Sequence, residues 1–68
     1  MKLRVLIIDD DVRIAEIHQR YVEKTDGFEV VGIVNTLEDA QLQLDVLEPD
    51  LLLLDIFFLE VNGLEFLK

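Results

Sequence analysis

Two aliphatic runs, Val5-Leu6-Ile7-Ile8 and Leu51-Leu52-Leu53-Leu54, contain no polar position. An apolar run of that length without alternation is the pattern of a strand buried on both faces, as in a parallel sheet. The first strand is expected over Leu3 to Ile8 and the third over Leu51 to Leu54. Between them, Ile14, Ile17 and Tyr21, with their neighbours Ala15 and Val22, recur at helical spacing from Val12 to about Lys24. Tyr21 is expected to pack against the sheet. Thr25-Asp26-Gly27 stops this helix, Gly27 being able to take a left-handed conformation. Phe28 to Val34 reads as a second strand, with apolar pairs flanking Gly32. Thr36-Leu37-Glu38-Asp39 has the form of a capping box, with Asp where Glu or Gln is usual. Leu37, Ala40, Leu44 and Leu47 then share one helix face until Pro49 ends it. After Asp55 come an apolar loop (56–61), Asn62-Gly63 and the start of a further helix at 64–68. The order β-α-β-α-β-(α) implies right-handed crossovers and a parallel α/β sheet. No linker, repeat or low-complexity stretch interrupts it.

The polar residues add chemistry at one edge of this sheet. Asp9-Asp10-Asp11 follows the first aliphatic run and Asp55 follows the last. Open α/β folds bind ligands outside the carboxyl ends of their strands. Neighbouring strands lie about 4.8 Å apart, which brings Asp9 or Asp10 within several Å of Asp55. At an effective dielectric of 20, two such charges ~5 Å apart repel by roughly 3 kcal/mol. A hard divalent cation offsets this repulsion, and Mg²⁺ needs only one or two carboxylates plus waters or phosphate oxygens. The competing explanation is that the aspartates only end the strands, with Asp11 capping the following helix.

Composition narrows the function. The chain has 68 residues, which is one small domain at most. Its net charge of −9 opposes direct contact with a nucleic-acid backbone, which needs Lys and Arg. Cysteine is absent, which excludes disulfides and thiolate metal sites and fits a reducing, cytoplasmic location. The apolar runs are far shorter than the ~20 residues of a membrane span. His18, the single histidine, sits mid-helix without a second ligand nearby and reads as a surface or core-edge residue.

The segment Val5 to Asp11, the segment Pro49-Asp50-Leu51-Leu52-Leu53-Leu54-Asp55 and Gly63 eight positions further on together resemble the N-terminal part of a response-regulator receiver domain of two-component signalling. Gly27-Phe28-Glu29-Val30-Val31-Gly32 and the Glu38-Asp39-Ala40 of the second helix resemble those receivers too, and among them most closely the citrate- and C4-dicarboxylate-responsive regulators. The resemblance covers essentially the whole chain. It implies a flavodoxin-like (CheY-like) doubly wound parallel sheet, truncated to β-α-β-α-β-(α), in residues 1–68. It implies that Asp55 is the phosphoacceptor. Asp10 would be a direct Mg²⁺ ligand, Asp9 would act mostly through a metal-bound water, and the backbone carbonyl of Phe57 would be a further ligand. A sensor histidine kinase is the implied phosphodonor, and Arg13 and Ile14 are the nearest candidates for contacts with it. The domain is then a phosphoacceptor and not an enzyme acting on a separate substrate.

Departures from the family pattern set further expectations. Phe58 and Leu59 stand where Met-Pro is usual, which changes the loop and not the chemistry. The chain stops at Lys68, so the family's fourth and fifth strands are missing. With them go the hydroxyl residue and lysine that contact the phosphoryl group, and any DNA-binding output domain. An unpaired third strand, with Phe57, Phe58, Leu64, Phe66 and Leu67, is expected to expose apolar surface and favour receiver–receiver self-association. One alternative is therefore a truncated, non-switching module that binds a kinase or receiver partner. The other is an aspartate-nucleophile phosphatase of the haloacid dehalogenase type, whose Asp-x-Asp-x-Thr/Val motif fails here at Arg13.

Overall fold

A computed structural model of the chain describes residues 1–55. The elements are β1 (Leu3–Ile8), α1 (Val12–Lys24), β2 (Phe28–Val34), α2 (Leu37–Leu47) and β3 (Leu51–Leu54), the strands with the bounds expected from the hydrophobic pattern and the helices close to them. The loop at 56–61, the Phe57 carbonyl, Gly63 and the helix start at 64–68 lie outside the described residues.

The three strands form a parallel sheet in the order β2-β1-β3. The chain steps from β1 to β2 in one direction and then crosses back over β1 to β3. Because both crossovers keep the same hand, this reversal puts the two helices on opposite faces. Val5, Ile7 and buried Ala15 of α1 make one layer, with Val22, Phe28, Val30 and Leu53 packed on it. Leu6, Ile8, Val34 and Ala40 of α2 make the other, with Leu37, Leu44, Leu47 and Leu54 around it. β1 is central and covered twice, so Val5 to Ile8 are at most 4% exposed.

β2 contains a feature that strict alternation does not foresee. Val5 pairs with Val30 but Leu6 pairs with Gly32, so Val31 is an extra residue and the register shifts there. A one-residue shift sends the following side chains to the opposite face. Phe28 and Val30 consequently face α1, whereas Val34 faces α2. Gly32 sits at the shift, where a Cβ would lie 3.0 Å from Leu47 Cδ1 and 3.1 Å from Leu6 Cδ1. The absence of a side chain there lets α2 close onto the sheet.

The caps are local. Asp11 accepts the Arg13 N–H at 3.0 Å to start α1, and Thr36 Oγ1 accepts the Asp39 N–H at 3.1 Å to start α2. Gly27 has a φ of 91° in the turn before β2, two residues past the C-cap Thr25. α2 ends at Glu48 in the left-handed region, and its last turn carries no basic residue. Arg4 of β1 supplies the cation from across the sheet. Its Nη1 donates to the Leu47 carbonyl at 2.5 Å and to the Glu48 carbonyl at 3.3 Å, offsetting the negative end of the helix dipole. The Arg4 backbone exchanges two further bonds with Asp50, both of 2.8 Å, which start the β1–β3 pairing.

Two expectations change. Tyr21 is 71% exposed and does not pack against the sheet. Each residue turns a helix by about 100°, so Ala15 and Val22 share the sheet-facing stripe, while Ile14, Ile17 and Tyr21 occupy the stripe beside it. β3 is also not buried on both faces, since Leu51 is 43% and Leu52 39% exposed. It is an edge strand among the described residues, and the helices lie mainly over β1 and β2. An apolar groove of about 430 Å³ results, lined by Tyr21, Val22 and Leu51 to Leu53, with half-buried His18 at its side.

Candidate functional site

β1 and β3 are neighbours, but the chain leaves β1 for β2 on its other side, so the crevice between the carboxyl ends of β1 and β3 is the switch point of the sheet. Asp9 and Asp55 flank it. The ladder continues one residue past each strand: the Asp9 N–H donates to the Val34 carbonyl and the Asp55 N–H to the Ile8 carbonyl, each at 3.0 Å. Both aspartates are thus held by the sheet and not by a free loop.

The two oxygens of Asp9 have different surroundings. Oδ1 accepts the Asp11 N–H at 2.8 Å and so shapes the turn from β1 into α1. Oδ2 is buried without a hydrogen-bond partner among the described residues, and the residue as a whole is 1% exposed. A buried acceptor left unsatisfied costs roughly 1–3 kcal/mol, and more when charged. Asp10 is exposed and Asp55 half-buried, and one oxygen from each of Asp9, Asp10 and Asp55 lies within 4.8 Å of the others. Three carboxylates, one of them carrying a buried oxygen unpartnered among the described residues, fit a hard divalent cation such as Mg²⁺.

Asp9, Asp10 and Asp55, named from sequence, therefore come together. Asp11 does not join them as a donor and caps α1 instead. The crevice opens into a pocket of about 550 Å³ lined by Asp9, Asp10, Asp11, Val12, Arg13, Ile14 and Asp55. Arg13 and Ile14, singled out as candidate partner contacts, thus stand at its rim. Arg4 is the side chain that sequence reading missed. It holds the far end of the β1–β3 pair, and nothing in its local pattern signals a contact with α2.

The family model of the response regulator receiver domain matches residues 5–68. The chain is 44% identical over 66 residues to the probable C4-dicarboxylate response regulator DctR of Halalkalibacterium halodurans, covering 97% of this chain and 29% of that protein. It is 45% identical over 67 residues to the transcriptional regulatory protein DcuR of Escherichia coli K12, covering 96% and 28%. A protein-glutamate methylesterase/protein-glutamine glutaminase of Trichodesmium erythraeum is 37% identical over 67 residues, covering 98% and 19%. The chain thus spans less than a third of the length of these relatives. No solved structure matches it at a significant level. A parallel sheet in the order β2-β1-β3, an acidic crevice at its switch point and a family match from the first strand onward have one common reading: this chain belongs to the response regulator receiver domain family.

Proposed function

We propose that this chain accepts a phosphoryl group onto Asp55 from a sensor histidine kinase in a Mg²⁺-dependent step, and that the whole protein uses this to control transcription. The observation that carries the reading is the crevice itself: Asp55 faces Asp9 and Asp10 within 4.8 Å, beside a buried carboxylate oxygen with no partner among the described residues. Asp9, Asp10 and Asp55 would hold the cation, with the Phe57 carbonyl added by family resemblance alone. Bound Mg²⁺ neutralises the clustered carboxylates and the charge on the transferred phosphoryl oxygens.

The protein's own residues do the rest. An Asp55 oxygen attacks phosphorus and forms the P–O bond as the P–N bond to the donor imidazole breaks. The bonding electron pair stays on the imidazole nitrogen, which takes up a proton from solvent. Asp55 is held for this attack by its backbone bond to Ile8. Asp9 and Asp11 fix the turn that presents Asp10.

The domain is a phosphoacceptor and not itself an enzyme, and it acts in the cytoplasm. No described helix is long and apolar enough to cross a membrane. The names of DctR and DcuR support a transcriptional output and a C4-dicarboxylate stimulus. The methylesterase relative has a like segment in an enzyme, which supports an output that lies outside the matched residues.

The test is incubation with acetyl phosphate and Mg²⁺ followed by mass spectrometry. A gain of one phosphoryl group on Asp55, lost in Asp55→Asn and on chelation of Mg²⁺, is expected. Equal labelling of Asp55→Asn, or labelling indifferent to Mg²⁺, would overturn the reading.

A further inference from the structure

We propose that Arg13 recruits the anionic end of the phosphodonor to the crevice, acting as a positioning residue for the transfer to Asp55. This rests on the phosphoacceptor reading and assigns a role within the same site.

A divalent cation would offset only part of the negative charge around the crevice. Four of the seven described residues lining the pocket are aspartates, in a chain of net charge −9. Any phosphodonor, whether a phosphoramidate such as phosphohistidine or an acyl phosphate, brings negative phosphoryl oxygens into that field. Among the described residues lining the pocket, Arg13 is the one cation.

Its placement suits recruitment. The backbone is pinned in the first turn of α1 by the 3.0 Å bond from its N–H to Asp11. The side chain is 91% exposed, and its ion pair is a 3.8 Å approach of Nε to Asp11 Oδ1. That distance is too long for a hydrogen bond, so the planar fork of donors is free to meet two phosphoryl oxygens at once. Arg20 and Lys24 lie seven and eleven positions on, within about 20° of Arg13 around the helix. They line a different pocket with Ile17 and Tyr21. Arg20 is therefore a matched control, with the same charge on the same stripe but outside the acidic crevice.

Arg13 then has two effects of opposite sign. A cation at the rim attracts the donor but repels Mg²⁺. In Arg13→Gln, phosphorylation by acetyl phosphate or phosphoramidate at low salt is expected to slow by about three- to fivefold, the scale of an exposed ion pair. The deficit should shrink as salt rises. Mg²⁺ binding, measured by calorimetry, is expected to tighten about twofold. Arg13→Lys should fall between the two, because it keeps the charge and loses the fork. Arg20→Gln should match the wild type in both assays. Equal rates for Arg13→Gln and Arg20→Gln would overturn the proposal, and so would parallel loss of rate and Mg²⁺ affinity in Arg13→Gln. A wild-type chain that neither binds Mg²⁺ nor reacts would sink the phosphoacceptor reading itself, and this inference with it.

Discussion

Replacing Asp9 with Asn removes one charge from the crevice while keeping a carbonyl oxygen for the Asp11 N–H that Asp9 Oδ1 accepts at 2.8 Å. Oxygens of Asp9 and Asp55 lie within 4.8 Å of one another. At that separation two unit charges repel by about 1 kcal/mol in a water-like dielectric and by about 3 kcal/mol at an effective dielectric of 20. Asp9 is buried but Asp55 is only half-buried, so the pair falls inside this range. The new amide also brings donors towards the remaining carboxylates. Without Mg²⁺, Asp9→Asn is therefore expected to be more stable than the wild type by about 1–3 kcal/mol. For a chain of this size each kcal/mol moves Tm by roughly 4–8 °C. With Mg²⁺ the order should close or reverse. A ligand that binds only the native state adds about 2.7 kcal/mol at one hundred times its Kd, and the variant forfeits most of that gain. Thermal unfolding followed by circular dichroism, in chelator and then across a Mg²⁺ titration, measures both effects. A variant that melts below the wild type in chelator would refute the charge-repulsion reasoning. A wild-type Tm indifferent to Mg²⁺ would refute the cation site.

Gly32→Ala forces a methyl group to within 3.0 Å of Leu47 Cδ1 and 3.1 Å of Leu6 Cδ1. Overpacking costs about 1–3 kcal/mol, only partly offset by the stiffer unfolded chain, so Tm should fall by several degrees without change in Mg²⁺ affinity. Arg4→Met keeps the side-chain stem but strips the donor from the Leu47 and Glu48 carbonyls. A loss of about 1–2 kcal/mol is expected, with faster amide exchange confined to the last turn of α2 and the start of β3. Asp11→Ala removes the cap of α1 and should cost about 1 kcal/mol, while calorimetric Mg²⁺ affinity stays within about twofold, since Asp11 is not in the carboxylate triad. A large loss of Mg²⁺ affinity in Asp11→Ala would instead make it a ligand.

Hydrophobic periodicity with its flanking caps and breakers located the five described elements, the strands with their bounds and the helices to within a residue or two, because each is bounded by a strong local signal. Asp11 and Thr36 cap the helices, Gly27 and Pro49 end the turns, and β-branched and leucine runs mark the strands. The carboxylate trio was legible for a related reason: parallel pairing of two aliphatic runs places the residues that follow them side by side. Other features depend on what lies opposite a residue, which no local pattern carries. Periodicity identified α1 but could not choose between its two adjoining apolar stripes. The position of the helix over β1 and β2 buried Ala15 and left Tyr21 outside. Four consecutive leucines read as doubly buried, yet burial follows the place of a strand in the sheet, and the order β2-β1-β3 gives full cover to β1 alone. The shift at Val31, the close approach at Gly32 and the reach of Arg4 to α2 are likewise properties of packed layers. The orphaned oxygen of Asp9 belongs with them, since neither its burial nor its lack of a partner exists until the β1–α1 turn closes over it.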